Sequence, residues 1–251
     1  MDIKVFGERN TGTNALIRML QQNSKTRFYP GTRVELSQST SRELELIRKF
    51  RLGSSRKERA IDRVFQGRSL LERWKHSATY VSHAEVSDLP ETLFIFTVRE
   101  PLSWLVGLYK KPYHILTARP ENLESFATTR WRTVGRENLQ SASYYPLDLF
   151  EEKLKSYLHL MSYLEDFNLP FKIIKFENFV TDQEATFWEL YEFLDEPTCN
   201  FGELNESTKD SRKNARFYAN YYTNGLWKAD FPELDDLKMT VSKDLLSSFG
   251  Y

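Results

Sequence analysis

The sequence predicts an α/β protein with a central parallel sheet of about four or five strands flanked by helices. Continuous apolar runs at Leu93–Val98 and Phe171–Phe176 are typical of strands that are buried on both faces. A shorter run at Ile3–Phe6 precedes a polar turn and then a segment with helical spacing. Strands that alternate with helices in this way indicate a parallel sheet wrapped by helices.

The amino-terminal third begins with the strand Ile3–Phe6, a polar turn from Gly7 through Gly12, and a helix over Asn14–Gln21. Leu16, Ile17 and Leu20 share one face of that helix. The next expected elements are a loop over Gly31–Ser41, basic helices over Arg42–Arg51 and Arg56–Arg73, and a short strand at Tyr80–Ser82.

The remainder continues the alternation. Pro101 fits the first turn of a helix that follows the Leu93–Val98 strand. Helices are expected over Glu151–Phe167, Gln183–Leu194 and Leu234–Phe249. No repeat or linker divides the chain, so we expect a single domain over residues 1–251, with a basic helical insertion at about 42–73.

Composition limits the classes of function. The 251 residues are 40% apolar and carry zero formal net charge, so no bulk field favours nucleic acid or an anionic membrane. The charge is uneven: Arg42–His76 holds eleven Lys/Arg and five Asp/Glu, which suits either an anionic ligand or a solvated helix face. The single cysteine, Cys199, excludes a disulfide within the chain. No targeting or membrane-spanning segment is visible, so a cytoplasmic location is expected.

The first loop has the glycine spacing of a phosphate-binding loop. It reads Gly7-Glu8-Arg9-Asn10-Thr11-Gly12-Thr13-Asn14, with Thr13 and Asn14 where a nucleotide-triphosphate loop has Lys and Ser/Thr. Such a loop before a helix presents backbone amides and a positive dipole end to an anion. Arg9 adds a permanent cation, and Thr11 and Thr13 add hydroxyls. An ordinary strand-to-helix turn is the alternative.

A second motif, Val98-Arg99-Glu100-Pro101, ends the central strand. An arginine at the carboxyl end of a strand lies where open α/β sheets bind ligands. Its guanidinium can bind a phosphate through two N–H groups. Pairing with a nearby acid such as Glu100 is the alternative.

Together the two motifs resemble the family of sulfotransferases that use 3′-phosphoadenosine 5′-phosphosulfate (PAPS). The Arg9–Asn14 loop resembles the family's 5′-phosphosulfate loop, and Val98–Pro101 resembles its 3′-phosphate segment. Ile174–Phe179 and the ending Phe249–Tyr251 are similar to further family blocks. The resemblance implies a three-layer P-loop-like fold, and it implies that a basic loop at Arg212 and Lys213 covers the 3′-phosphate.

The chain departs from the family pattern at two positions. The loop cation usually lies two residues before the last glycine, where this chain has Asn10, with Arg9 one residue earlier. A serine usually lies eight residues after the motif arginine, where this chain has Gly107. A backbone group or the hydroxyl of Ser103 would have to replace it.

Sulfuryl transfer to a hydroxyl calls for a general base. His76 lies 23 residues before Arg99, and the family places a Lys/His segment at a similar distance, so His76 is expected as the base, with Lys75 as a helper cation. The rival candidates for the base are His83, Glu85 and His114. Of these, His114 could line the acceptor site. The fourth histidine, His159, is expected to be structural.

The sequence thus predicts a PAPS-dependent sulfotransferase acting on a hydroxyl or amine, with a glycan or glycolipid favoured as the acceptor. Adenosine 3′,5′-bisphosphate is the expected product, and no metal is expected, because no His, Cys or carboxylate cluster has ligand spacing. Two alternatives remain open: a P-loop nucleotide kinase, and a non-catalytic nucleotide-binding protein.

Overall fold

A computed structural model describes residues 1–31, 37–113, 120–205, 213–231, 234 and 241–251. Five strands are present there: β1 (Asp2–Gly7), β2 (Thr92–Val98), β3 (Trp131–Arg132), β4 (Ser143–Tyr144) and β5 (Phe171–Lys175). The helices are α1 (Thr13–Asn23), α2 (Gln38–Lys49), α3 (Ser54–Phe65), α4 (His83–Ser87), α5 (Pro101–Lys110), α6 (Leu123–Ala127), α7 (Pro146–Asp166), α8 (Phe176–Thr181), α9 (Gln183–Leu190), α10 (Ala215–Thr223), α11 (Leu226–Ala229) and α12 (Lys243–Ser248).

The main sheet is parallel and has the order β1–β2–β5, while β3 and β4 form a separate antiparallel pair. Gly7 is in register with Thr97, and Val98 with Lys175, so all three strands end at the same edge. The α/β class with a parallel sheet is therefore confirmed. The loops that follow β1, β2 and β5 carry the candidate ligand-binding residues to this carboxyl edge.

Side-chain alternation along the strands builds two cores. Ile3, Leu93 and Ile95 pack on one face of the sheet, against apolar residues of α1 and α9. Phe94 and Phe96 pack on the other face, against apolar residues of α5 and α7. Helices thus cover both faces, as continuous apolar strands require.

The three strands of this sheet are fewer than the four or five predicted. Phe28 lies beside Ile3 on the outer side of β1, but it forms only a single parallel bridge. Pro30 follows two residues later and has no N–H with which to extend the pairing. The described chain therefore adds no further strand beside β1, and the reason is local to Pro30.

The predicted strand Tyr80–Ser82 is wrong. Its backbone is bonded by side chains: the carbonyl of Tyr80 accepts from Arg73 at 2.9 Å, and the carbonyl of Val81 lies 2.9 Å from Nε2 of His159. With these groups satisfied, the segment does not join the sheet, and Ser82 instead begins α4 through a capping box with Glu85.

Several predicted helices have different bounds. α2 begins at Gln38, four residues before its predicted start and inside the predicted loop, and α9 ends at Leu190, before the predicted Leu194. α3 stops at Phe65 before Gly67, which has a left-handed φ of 69°, and the basic run continues only as a short 3₁₀ turn at Leu70–Glu72. α7 begins at Pro146, five residues before the predicted start. The carboxyl-terminal prediction is described only in part, and α12 covers Lys243–Ser248 there.

Candidate functional site

The loop between β1 and α1 makes a tight turn. Asn10 has φ of 68° and Gly12 has φ of 87°, both in the left-handed region, which glycine and asparagine tolerate best. A Cβ at Gly7 would collide with the hydroxyl of Thr97 on β2. α1 begins at Thr13, with no acid in its first turn and no capping side chain among the described residues. Its amino end therefore offers backbone N–H groups and a positive dipole end to an anion.

The two loop threonines are turned toward the interior. The Thr11 hydroxyl lies 2.5 Å from the carbonyl of Glu8 and 2.8 Å from the hydroxyl of Thr97. Thr13 is buried in the first turn of α1. Thr11 thus braces the loop against β2, and its hydroxyl proton is already engaged, which leaves backbone amides as the loop's main donors to a ligand.

Arg9 is held between two aromatic rings. Its guanidinium carbon lies 4.4 Å from the ring centre of Trp74 and 3.7 Å from that of Tyr113. Burial lowers the pKa of Arg9, although a guanidinium remains charged at neutral pH. Its Nε is buried without a hydrogen-bond partner among the described residues. Stacking between the two rings therefore fixes the orientation of the cation beside the loop.

The segment carrying Lys75 and His76 lies directly beside the loop. The Lys75 carbonyl accepts from the Gly7 N–H at 2.9 Å, and Lys75 Nζ donates to Asn14 Oδ1. The buried Lys4 secures the approach, because its ammonium donates to the carbonyls of Leu71 and Arg73, both at 2.6 Å. The predicted Lys75–His76 pair is thus brought to the predicted anion loop.

His76 is arranged as a neutral imidazole. Its Nδ1 lies 2.6 Å from the Gly7 carbonyl, so Nδ1 carries the proton and Nε2 carries the lone pair. Burial, reinforced by the positive charges of Lys75 and Arg9, lowers the pKa of His76 well below its usual value. This tautomer can accept a proton at Nε2, as a general base must.

The rival bases lie elsewhere. His83 packs against Phe167, with ring centres 4.6 Å apart, at the end of α7 that leads to the opposite edge of the sheet. Glu85 caps α4 and pairs with Arg73. His159 packs on Tyr163 within α7, in a structural setting. His114 lies outside the described residues.

Arg99 connects the two motifs. Its Nη1 donates to the Asn10 carbonyl and its Nε to Ser103 Oγ, both at 2.8 Å, while its Nη2 lies 2.5 Å from the Tyr222 hydroxyl. A Cβ at Gly107 would lie 3.0 Å from Nη1. The hydrogen bond to Ser103 therefore orients the Arg99 side chain, and the absence of a side chain at Gly107 leaves space for the guanidinium.

An open cleft of about 200 Å³ lies beside this arginine, between the loop, α5, α8 and α10. Asn10, Gly12, Arg99, Gly107 and Lys213 all line it. Its remaining lining is largely apolar and aromatic, and includes Phe176, Phe217, Tyr218, Tyr221 and Tyr222. Arg212, expected beside Lys213, lies outside the described residues. The cleft is thus lined both by cationic side chains and by aromatic rings.

A buried ionic cluster behind the loop was missed by the sequence reading. Glu8 accepts from the Arg9 N–H and the Tyr113 hydroxyl, both at 2.7 Å, and its other oxygen lies 3.5 Å from Lys153 Nζ. Lys153 is 0% exposed and also donates to the His76 carbonyl. Two features of the sequence could have indicated it. Glu8 is an acid next to the loop arginine, and Lys153 interrupts an otherwise apolar stripe of α7. The cluster links Arg9 to His76 from behind.

Glu137 belongs to the same cluster and is 1% exposed. Burial raises its pKa to about 7, Lys153 opposes that shift, and the negative charge of Glu8 adds to it. A carboxyl group with these neighbours changes charge near neutral pH, which makes the cluster sensitive to pH.

We expect Glu137→Gln to remove a pH dependence of stability. Between about 4.5 and about 7 the unfolded chain releases the Glu137 proton while the folded chain retains it, so this group lowers stability as pH rises. His76 has the opposite sign, because its lowered pKa makes stability fall as pH drops through its unfolded value. Urea unfolding of the unaltered protein and of Glu137→Gln across this pH range measures how the free energy of unfolding depends on pH in each. An unchanged slope would contradict the assignment, and Glu124→Gln, at an exposed position of α6, is the control.

The chain matches no protein-family model, and no curated protein sequence is significantly similar to it. Across the described ranges no three His, Cys, Asp or Glu side chains are grouped so that they could hold a metal. No helix in the described part of the chain is long and apolar enough to cross a membrane. The loop, the cleft and the buried cluster are therefore the features that bear on function.

Proposed function

We propose that this protein is a PAPS-dependent sulfotransferase with a single three-layer P-loop-like domain. Its acceptor is a hydroxyl or an amine, and carbohydrate or glycolipid is the class we favour. The observation that carries the proposal is that Lys75 donates to Asn14 in the first turn of α1, while Arg99 donates to the Asn10 carbonyl of the loop that also carries Arg9. These cations come from three separate segments, and none of them is the lysine of a nucleotide-triphosphate loop.

The cleft fits an adenosine bisphosphate. Arg99 and Lys213 line it and can meet a 3′-phosphate, while the ring faces of Phe217 and Tyr218 offer stacking surface to a purine. The uncapped end of α1 lies next to Arg99 through Asn10, at the place where a 5′-phosphosulfate would follow. The proposed site for the 3′-phosphate, at Arg99, would thus lie beside the proposed site for the 5′-phosphosulfate, at the amino end of α1.

The bound donor supplies the sulfuryl group, and the chain's residues position it and stabilise charge. Arg9, Lys75 and the α1 amides are placed to offset the negative charge that grows on the leaving phosphate oxygen. His76 Nε2 takes the proton from the acceptor oxygen or nitrogen as the new bond to sulfur forms. The Gly7 carbonyl holds the imidazole in the tautomer that this step needs.

One observation keeps the second alternative, a non-catalytic nucleotide-binding protein, in view. All three nitrogens of the Arg99 guanidinium already have partners, and Tyr222 of α10 occupies Nη2. A 3′-phosphate must therefore displace Tyr222 or bind the remaining N–H directions. Nucleotide binding without sulfuryl transfer to any of a broad set of acceptors would favour this alternative.

Titration calorimetry with adenosine 3′,5′-bisphosphate and adenosine 5′-monophosphate tests the proposal. In the absence of Mg²⁺ we expect the bisphosphate to bind more tightly than the monophosphate. Arg99→Ala should remove most of this difference in affinity. A charge-assisted contact contributes about 1.5–3 kcal/mol, which is roughly ten- to a hundredfold in affinity.

The controls separate charge recognition from folding. Arg130→Ala removes an exposed arginine that stacks on Tyr145, and it should leave both affinities unchanged. If Arg99→Ala fails to fold, Tyr222→Phe tests the same contact, since it frees Nη2 and should maintain or increase bisphosphate affinity. Equal affinity of the unaltered protein for the two nucleotides, or a requirement for Mg²⁺, would contradict the proposal and favour the kinase.

A further inference from the structure

The turn between α2 and α3 exposes large apolar side chains. Leu46 is 53% exposed, Phe50 is 61% exposed and Leu52 is 41% exposed. Leu46 and Phe50 are four residues apart and share one face of α2, whereas Ile47 faces inward and is buried. We call residues Leu46–Lys57 the hairpin tip. Apart from Ile47, its apolar side chains Leu46, Phe50 and Leu52 are exposed and do not pack in the core.

The backbone of the hairpin tip is ordered. The N–H of Phe50 donates to the Leu46 carbonyl at 2.9 Å, and the N–H of Leu52 to the Ile47 carbonyl at 3.0 Å. Arg51, at φ of 49°, turns the chain between them. These bonds close the end of α2, so the backbone that carries Phe50 and Leu52 is held by the helix.

The charge of the hairpin tip has one sign. The tip contains Arg48, Lys49, Arg51, Arg56 and Lys57 and no Asp or Glu. The first four of these are exposed, and none of the four forms an ion pair with another described residue. Only Lys57 approaches an acid, at 3.9 Å from Glu58. This local surplus exists although the whole chain is neutral.

The hairpin is attached rigidly to the candidate site. Arg136 pairs with Glu58 of α3 at 2.5 Å and with Asp62 at 2.7 Å. The same guanidinium lies 4.6 Å from the ring centre of Trp74, which also stacks on Arg9. A surface that binds the hairpin tip would therefore hold the candidate site in a defined orientation.

We propose that the hairpin tip binds the surface of an anionic lipid bilayer. The exposed leucines and phenylalanine insert at the boundary between headgroups and acyl chains, and the basic side chains contact anionic headgroups. A purely polar polyanion would satisfy the charges, but it would offer nothing to three exposed apolar side chains. The complementarity of both features favours a bilayer over an acidic polysaccharide.

Co-flotation of the whole protein with vesicles tests this surface directly. The protein should float with phosphatidylcholine vesicles containing phosphatidylserine and float much less with phosphatidylcholine alone. Phe50→Ser with Leu52→Ser should lower the affinity about tenfold or more. Changing Arg48, Lys49 and Arg51 to Gln should lower it about a hundredfold, at about fivefold per charge.

Matched variants control for general effects. Trp188→Ser removes an exposed aromatic side chain from the acidic surface of α9, and Arg18→Gln with Arg132→Gln removes exposed charges elsewhere. These variants should float as the unaltered protein does, and circular dichroism should show all of them folded. Nucleotide affinity is measured in parallel, because vesicle binding stands apart from the proposed activity and either can fail alone.

Three results would overturn the proposal. The first is the absence of binding to phosphatidylserine vesicles. The second is a serine variant that still floats normally while the protein binds a heparin column, which would indicate a polyanion surface. The third is a protein that self-associates through the tip, with monomers only after Phe50→Ser and Leu52→Ser, and does not bind vesicles.

Discussion

His76→Ala is expected to lower turnover about 10²- to 10⁴-fold, the usual contribution of a general base. The change removes Nε2, the atom that we propose accepts the acceptor's proton, while Arg99 and the cleft stay in place. Affinity for adenosine 3′,5′-bisphosphate should therefore change little. Turnover is measured as release of this bisphosphate from PAPS with the best acceptor of a panel of glycans and phenols, and affinity by calorimetry.

The comparison variant for this experiment is His83→Ala. His83 is exposed and packs at the far end of α7, so its loss should leave turnover within about twofold of the unaltered protein. A pH profile adds a second readout, because the lowered pKa of His76 should keep the base neutral and active below pH 6.5. Full turnover in His76→Ala would contradict its assignment as the base, and His114 would be the next candidate.

Lys153→Met is expected to destabilise the fold by about 3–5 kcal/mol, because it leaves a buried negative charge without its partner. Lys153 is 0% exposed, and its ammonium lies 3.5 Å from a carboxylate oxygen of Glu8. Lys153 also donates to the His76 carbonyl, so the substitution removes a hydrogen bond that holds the backbone of the candidate base. Urea unfolding at neutral pH measures the change.

Two further variants make the result specific. Lys155→Met removes an exposed lysine two residues along α7 that pairs with Glu151, and we expect a change below about 1 kcal/mol. In Lys153→Met with Glu8→Gln, the second change should recover part of the lost stability, since the neutral amide no longer needs a cation. A Lys153→Met protein within about 1 kcal/mol of the unaltered one would contradict the role of the cluster.

The parallel strands were predictable because their signal is local. Leu93–Val98 is apolar at every position except Thr97, a pattern that only a strand covered on both faces needs. The β1–α1 loop was equally readable, since two glycines at a fixed spacing between a strand and a helix indicate a tight turn. The number of strands was not, because pairing is limited by Pro30 beside Phe28, and by the side chains of Arg73 and His159 at Tyr80 and Val81.

The sequence by itself determined the α/β class, a helix over Asn14–Gln21 after the first loop, and the places of Arg9 and Arg99 directly after two strands. Each of these follows from residues close together along the chain. Only the tertiary structure decided that Lys75 reaches Asn14, that His76 bonds the Gly7 carbonyl, and that Lys153 stands behind them both. Such contacts join residues more than sixty positions apart, and their energies depend on burial, which no local pattern encodes.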